Sequence, residues 1–224
     1  QKGHIEGAEK ISGQYLRKGG YLKRRVACDA CGTACHRYTS VDSGPYAGTH
    51  SGGPEYETLA SLGAGCGVTD METVLRANEL CNLFGMDTIS AGSVIQWAME
   101  SWQRGLLSLS DTGGIDLAWG NGESVIRLVS DVARRQGFGA TLADGVKVAA
   151  ERLGGDSWKW AVQAKGLEQS RVETRTRLGY ALAFAVNPRG PDHLTTEVVA
   201  ESARTPEGKA LVAKICGSED YATP

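Results

Sequence analysis

No run of apolar residues in this 224-residue sequence reaches the roughly 18 that a bilayer-crossing helix needs, so a membrane span is excluded. An excess of one charge sign is missing as well. The 24 Lys and Arg face 26 Asp and Glu, for a formal net charge of -2. Without a basic excess nothing draws the chain to nucleic acid, and without an acidic tail nothing marks a solvating segment. Glycine has no period-three repeat, which removes a collagen-like assembly. No internal repeat or low-complexity tract is present, and no apolar leader follows Gln1. The sequence starts without Met and stops at Thr223-Pro224 with no closing element, and so reads as the middle of a longer polypeptide.

What is present is a globular composition sized for one domain or two small ones. Hydrophobic residues make up 41%, enough for a core. The 30 glycines are about twice the usual share, and they punctuate helical patterns. Ile5 to Ile11 opens as if inside a helix, and Val41 to Gly53 is Gly/Ser/Pro-rich and reads as a loop. Thr69 and Glu72 form a capping box before a helix with Met71, Val74, Leu75 and Cys81 on one face, ended by Gly85. Residues 87–92 read as a polar turn before a helix over 93–104. Another helix starts at Asn121, with Val125, Leu128, Val129 and Val132 in helical register, and ends at Gly137. A further one covers 141–153. Trp158, Trp160 and Val162 alternate as in a short strand. Helices follow over 177–186, stopped by Asn187-Pro188, and over 206–215, opened by Pro206. The expected fold is mainly α, with glycine-rich joints and little β.

Six cysteines remain to be placed. Three fall within eight residues as Cys28-x2-Cys31-x3-Cys35. Close thiolates of this kind suit a soft metal centre, and an iron–sulfur cluster commonly takes one more ligand from far along the chain. Zinc competes, with His36 as a conceivable fourth ligand, although Cys35 and His36 are adjacent and hard to fit on one tetrahedral ion. Free redox or structural thiols are the third reading. The radical-SAM order, C-x3-C-x2-C, is the reverse and does not match. Cys66, in a glycine-rich turn, and Cys81, on an apolar helix face, read as packed small hydrophobes. His4 and His50 read as exposed, and the five tryptophans as packing.

Together these segments carry a resemblance. The cysteine run, Gly53-Pro-Glu-Tyr-Glu-Thr58, Ala77-Asn-Glu-Leu-Cys-Asn82, Gly85-Met-Asp-Thr-Ile-Ser90, Asn121-Gly-Glu123, Gly137-Phe-Gly139, Leu142-Ala-Asp-Gly-Val146, Lys165-Gly-Leu-Glu168 and Asn187-Pro-Arg-Gly-Pro-Asp-His193 follow in the order seen in the aldehyde ferredoxin oxidoreductase family. Each motif is weak alone; the series covers nearly the whole chain. The resemblance implies the helical middle portion of a longer enzyme. Residues 1–67 would hold the cluster loop and the Pro-Glu-Tyr-Glu segment, and 68–224 would face pterin and substrate. An N-terminal β-rich domain and a C-terminal end would lie outside.

The resemblance also implies a tungsten (or molybdenum) bis-pyranopterin beside a [4Fe–4S] cluster. Cys28, Cys31 and Cys35 would be cluster ligands, with the fourth beyond residue 224, because Cys216 sits in a non-matching context. Glu57, with Tyr56 beside it, and His193 would be the catalytic groups; Asp87, Ser90 and Arg189 would contact the cofactor. A carboxylate and an imidazole can share the acid–base work of oxidising an aldehyde to an acid. Ferredoxin or an electron-transfer subunit would accept the electrons, in an oligomeric cytoplasmic enzyme, and the segment by itself would be inactive. His36, and Pro188 and Pro191 around Arg189, resemble instead the branch with the active-site subunit of class II benzoyl-CoA reductases, where the substrate is an aryl-CoA and the reaction a low-potential ring reduction. A competing reading of another class is a non-catalytic zinc module.

Overall fold

The helical expectation holds: about 49% of the described residues are helix and only 8% strand. The computed structural model describes residues 5–196, 198–203 and 205–218, with Val199 and Ser202 by backbone alone. His4 and the Thr223-Pro224 end lie outside these. The chain divides into two compact units, Lys2–Val162 and Gln163–Pro224.

The first unit does not open as one helix. A 3₁₀ turn, Ala8–Ile11, is followed by α1 (Gly13–Lys18), whose N-cap Ser12 accepts from the Tyr15 N–H. An antiparallel sheet then forms in the order β1 (Leu22–Val26), β2 (His36–Ser40) and β3 (His50–Gly52). Neither β1 nor β3 alternates apolar and polar residues, so periodicity is silent on both. The Gly/Ser/Pro-rich stretch expected to be all loop thus ends in a strand.

α2 (Tyr56–Thr58) is one short turn, continued by helical turns over Leu59–Gly63 and Ala64–Cys66. α3 (Met71–Phe84) ends, as expected, at Gly85, but its N-cap is Asp70 rather than Thr69. The Asp70 carboxylate accepts from the Thr73 N–H (2.8 Å) and hydroxyl (2.6 Å), while Glu72 accepts from the Tyr21 hydroxyl (3.1 Å). Burial, together with that carboxylate, pushes Tyr21 up to about 12. The cap gives a simple test: Asp70→Ala is expected to cost about 1 kcal/mol in denaturant melts, and Thr69→Ala clearly less.

α4 (Thr88–Gln103) starts five residues before the expected boundary, because Asp87 caps it by accepting from the Ser90 N–H at 2.7 Å. The small polar residues read as a turn are its first turns. They are small because this face lies against the Ser61 backbone. α5 (Gly122–Arg134) starts at its Asn121 cap. The helix expected over 141–153 is two pieces, α6 (Gly139–Leu142) and α7 (Val146–Leu153), parted at Gly145, whose φ of 90° no helix accommodates.

The strand expected at Trp158–Val162 is instead a 3₁₀ turn, Ser157–Trp160. Trp160 donates its indole N–H to Ser101 Oγ (2.9 Å), and Trp97 donates to the Ser157 carbonyl (3.0 Å). These tertiary bonds, rather than an alternating sheet face, set the conformation. Val74, Leu75, Ile95, Met99, Val125 and Leu128 form the centre of the core. Cys66 and Cys81 are buried in it; burial first, then the Asp87 charge, pushes the Cys81 thiol up to about 12.

The second unit pairs β4 (Gln163–Ala164) with β5 (Leu167–Glu168) and carries α8 (Leu178–Val186) and α9 (Pro206–Cys216). Both helices fall within a residue of their expected bounds. Among the described residues no helix is long and apolar enough to cross a membrane.

Candidate functional site

Cys28, Cys31 and Cys35 occupy the exposed connection between β1 and β2. Pairing of Val26 with His36 closes the base of this hairpin, which brings its two feet, and so Cys28 and Cys35, to one end of the sheet. Ala30 and Ala34 adopt positive φ (54° and 46°) and curl the loop, while Arg25 donates to the Thr33 (2.7 Å) and Ala34 (2.9 Å) carbonyls. The Cys31 thiol is held below its ordinary range by the N–H groups of Thr33 and Ala34 and by the Thr33 hydroxyl. Donors aimed at a sulfur are what a thiolate ligand requires. The three sulfurs do not converge here: among the described residues no group of three His, Cys, Asp or Glu side chains is placed to hold a metal ion.

His36 begins β2, its Nδ1 3.7 Å from Glu55 Oε1. Arg37, next along, donates to the Pro54 carbonyl (3.0 Å) and to Glu55 (2.9 Å). Thr39 donates to the Gly53 carbonyl at 3.0 Å. The sheet thereby delivers the chain into α2, which carries exposed Tyr56 and half-buried Glu57. Thr58 closes this turn onto the next motif, its hydroxyl sharing a 3.0 Å hydrogen bond with Thr88. The turn that carries Glu57 is thus fastened to the start of α4, which Asp87 caps.

At that same helix start lies a cleft of about 180 Å³, lined by Asp87, Ser90, Met86 and Val94 on one side and Leu142, Ala143 and Gly145 on the other. Two motifs far apart in sequence form its walls. Its lining is apolar except for the Asp87 carboxylate and Ser90. A flat ring bearing N–H groups fits this lining, since a carboxylate that caps a helix with one oxygen retains acceptor capacity on the other.

In the second unit, the segment after α8 folds into a tight hydrogen-bonded loop. Asn187 accepts from the Arg189 N–H (3.0 Å), its carbonyl accepts from Lys165 (2.7 Å), and Arg189 pairs with Asp192 (2.7 Å). Asp192 is buried, and burial disfavours its charge. The Leu194 N–H and the Arg189, Thr195 and His193 side chains outweigh that and hold it below the usual carboxylate range. His193 therefore sits half-buried in the field of an ionised carboxylate.

Residues 1–220 match the family described as aldehyde ferredoxin oxidoreductase, domains 2 and 3. The chain belongs to the aldehyde ferredoxin oxidoreductase family. It is 34% identical over 203 residues to the tungsten-containing aldehyde ferredoxin oxidoreductase of Pyrococcus abyssi, which covers 89% of this chain and 32% of that protein. It is 30% identical over 205 residues to a Pyrococcus furiosus protein described as the WOR-like subunit of an aliphatic sulfonate oxidoreductase, with 89% and 33% covered. The chain thus spans about a third of the length of these relatives. Among solved structures, it shares the fold of a chain in the active-site complex BamBC of benzoyl coenzyme A reductase bound to 1,5 dienoyl-CoA. That likeness has a TM-score of 0.70 and 22% identity, covering 90% of this chain and 30% of the other.

Of the residues the family resemblance singles out, the structure gathers Glu57, Tyr56, Asp87 and Ser90 around the start of α4. The cysteines occupy the β1–β2 loop, and Arg189 and His193 the second unit. Sequence reasoning missed Thr58, Thr88, Arg37 and Thr39, which place the Glu57 turn. Single hydroxyls leave no pattern to read. It read Arg189 and Asp192 as a charged pair, which they are, but gave Asp192 no role beside His193.

Proposed function

We propose that this chain forms part of a tungsten- (or molybdenum-) pterin and [4Fe–4S] dependent oxidoreductase that oxidises aldehydes to carboxylic acids, with ferredoxin as acceptor. The observation that carries it is the Thr58–Thr88 junction, which fastens the Glu57 turn to the start of α4, the helix that Asp87 caps, inside a chain of this family. Residues 1–67 serve the cluster and the Glu57 turn, and 68–224 face pterin and substrate.

The reaction takes an aldehyde and water to an acid, two protons and two electrons. The bound metal–pterin group and cluster supply the redox chemistry. Glu57 removes a proton from water or from the hydrated aldehyde. Tyr56, exposed beside it, orients the oxygen. His193, next to the Asp192 carboxylate, donates to the carbonyl oxygen and polarises it. Asp87 accepts from pterin N–H groups with Ser90 alongside, and Arg189 meets an anionic part of the cofactor. Cys28, Cys31 and Cys35 provide three thiolates to the cluster, and the fourth comes from elsewhere in the full-length protein. The enzyme is cytoplasmic and oligomeric in its full length.

Anaerobic elemental analysis of the full-length protein tests this. About four iron, with labile sulfide, and one tungsten or molybdenum per chain are expected. Serine at Cys28, Cys31 or Cys35 is expected to lower the iron content several-fold. Zinc alone would overturn the enzyme reading. Turnover of aryl-CoA thioesters in place of aldehydes would assign the ring-reducing branch.

A further inference from the structure

β3 is an edge strand, paired with β2 on one side only. Its register sets Ser51 opposite Thr39, and the Gly53 N–H donates to the Arg37 carbonyl, so the His50 N–H and the Gly52 carbonyl face away from the sheet. An exposed edge of this kind would be left to water or to another strand. Here three side chains of α3 cover it instead. Asn78 donates to the Gly52 carbonyl (2.9 Å) and to Ser51 Oγ (3.2 Å). Asn82, one turn on, donates to the same two acceptors at 2.9 and 2.6 Å. Glu79, buried and paired with Arg76, accepts from the His50 N–H at 2.9 Å. The segment Ala77-Asn-Glu-Leu-Cys-Asn82, which no step of the proposed reaction uses, is accounted for by these contacts.

From here we infer that Asn78, Glu79 and Asn82 are positioning residues, which hold β3 so that the next residues deliver Glu57 to one place. The inference rests on the reading of Glu57 as the group that acts on substrate. Apolar side chains over the edge would bury its N–H and carbonyl without partners and would not set its register along the helix. Two amides on one carbonyl and a carboxylate on one N–H do. The hold is passed on without slack. Beyond Gly52 the chain is fastened at Gly53 by Thr39 and Arg37, at Pro54 and Glu55 by Arg37, and at Thr58 by Thr88. A shift of β3 therefore moves the Tyr56–Thr58 turn.

Two variants of the full-length loaded enzyme test the clamp: Asn82→Ala, at an exposed position where folding is safe, and Asn78→Ala, at a buried one. Amide hydrogen exchange is followed over residues 50–58 and compared with α4 and α5. Exchange over 50–58 is expected to quicken about tenfold in either variant, with α4 and α5 unchanged. With acetaldehyde and benzyl viologen, kcat is expected to fall about 10–100-fold while KM stays within about twofold and metal content is retained. Unchanged exchange over 50–58, or equal quickening throughout α4 and α5, would overturn the clamp. If kcat survives while 50–58 loosens, the clamp holds its strand but does not position a reacting group, and the inference is equally overturned. Glu57→Gln separates the two ideas: full activity there sinks the reading of Glu57, and the exchange data still decide whether α3 holds β3.

Discussion

Glu57→Gln in the full-length protein is expected to lower kcat by about 10²–10⁴-fold, the usual loss when a general base is removed. Glutamine keeps the shape and leaves the α2 turn fastened through Thr58 and Thr88, so the change removes basicity with little else. The carboxylate is half-buried, in a turn that also presents the exposed Tyr56 ring. Tungsten, iron and KM are accordingly expected to stay near their wild-type values, which marks an interaction made in the transition state alone. Tyr56→Phe, which removes one orienting hydroxyl, is expected to cost far less. Metal content measured on the same preparation distinguishes a missing base from a missing cofactor. An undiminished kcat would show that Glu57 does not carry the proton.

Gly92→Ala is expected to be the most damaging single-methyl addition along α4. A Cβ built there falls 2.6 Å from Ser61 Cβ, 2.7 Å from its carbonyl carbon and 2.8 Å from its carbonyl oxygen, and backbone atoms cannot swing aside. Overpacking costs about 1–3 kcal/mol, at the upper end where the obstacle is backbone, against about 1 kcal/mol gained from helix propensity. The net loss of about 2 kcal/mol corresponds to a fall in Tm of about 4–8 °C. Gly13→Ala makes the comparison clean. That glycine lies in α1 with no atom within 4 Å of its Cβ, and alanine there is expected to be neutral or slightly stabilising. A Gly92→Ala protein as stable as wild type would mean that α4 does not press on the Ser61 segment. The same displacement would also shift Asp87 and Ser90 relative to Leu142, so the cleft and the stability are expected to fail together.

The candidate site was legible in the sequence to different depths. That the three cysteines share one loop could be read because they fall within eight residues, but the loop does not bring their sulfurs together. That the Glu57 turn is fastened to the start of α4 could not be read, because two threonine hydroxyls 30 residues apart make the junction. Asn78 and Asn82 stood in a segment the family series includes, yet their purpose is visible only where they meet the edge of β3.

The sequence by itself determined the helices whose signals are local. The stop of α3 at Gly85, the Asn121 cap of α5, and the limits of α8 and α9 depend on residues within one turn of one another. The family, too, was carried by ordered short motifs. Tertiary structure alone decided the sheet and the turn at Trp158–Trp160. In both the deciding partner is far along the chain: β2 and α3 for β3, Ser101 for Trp160. A polar strand gains its stability from backbone and amide hydrogen bonds rather than from an alternating apolar face. Such bonds leave no periodicity in the residues that make them, and they exist only once the distant partner has arrived.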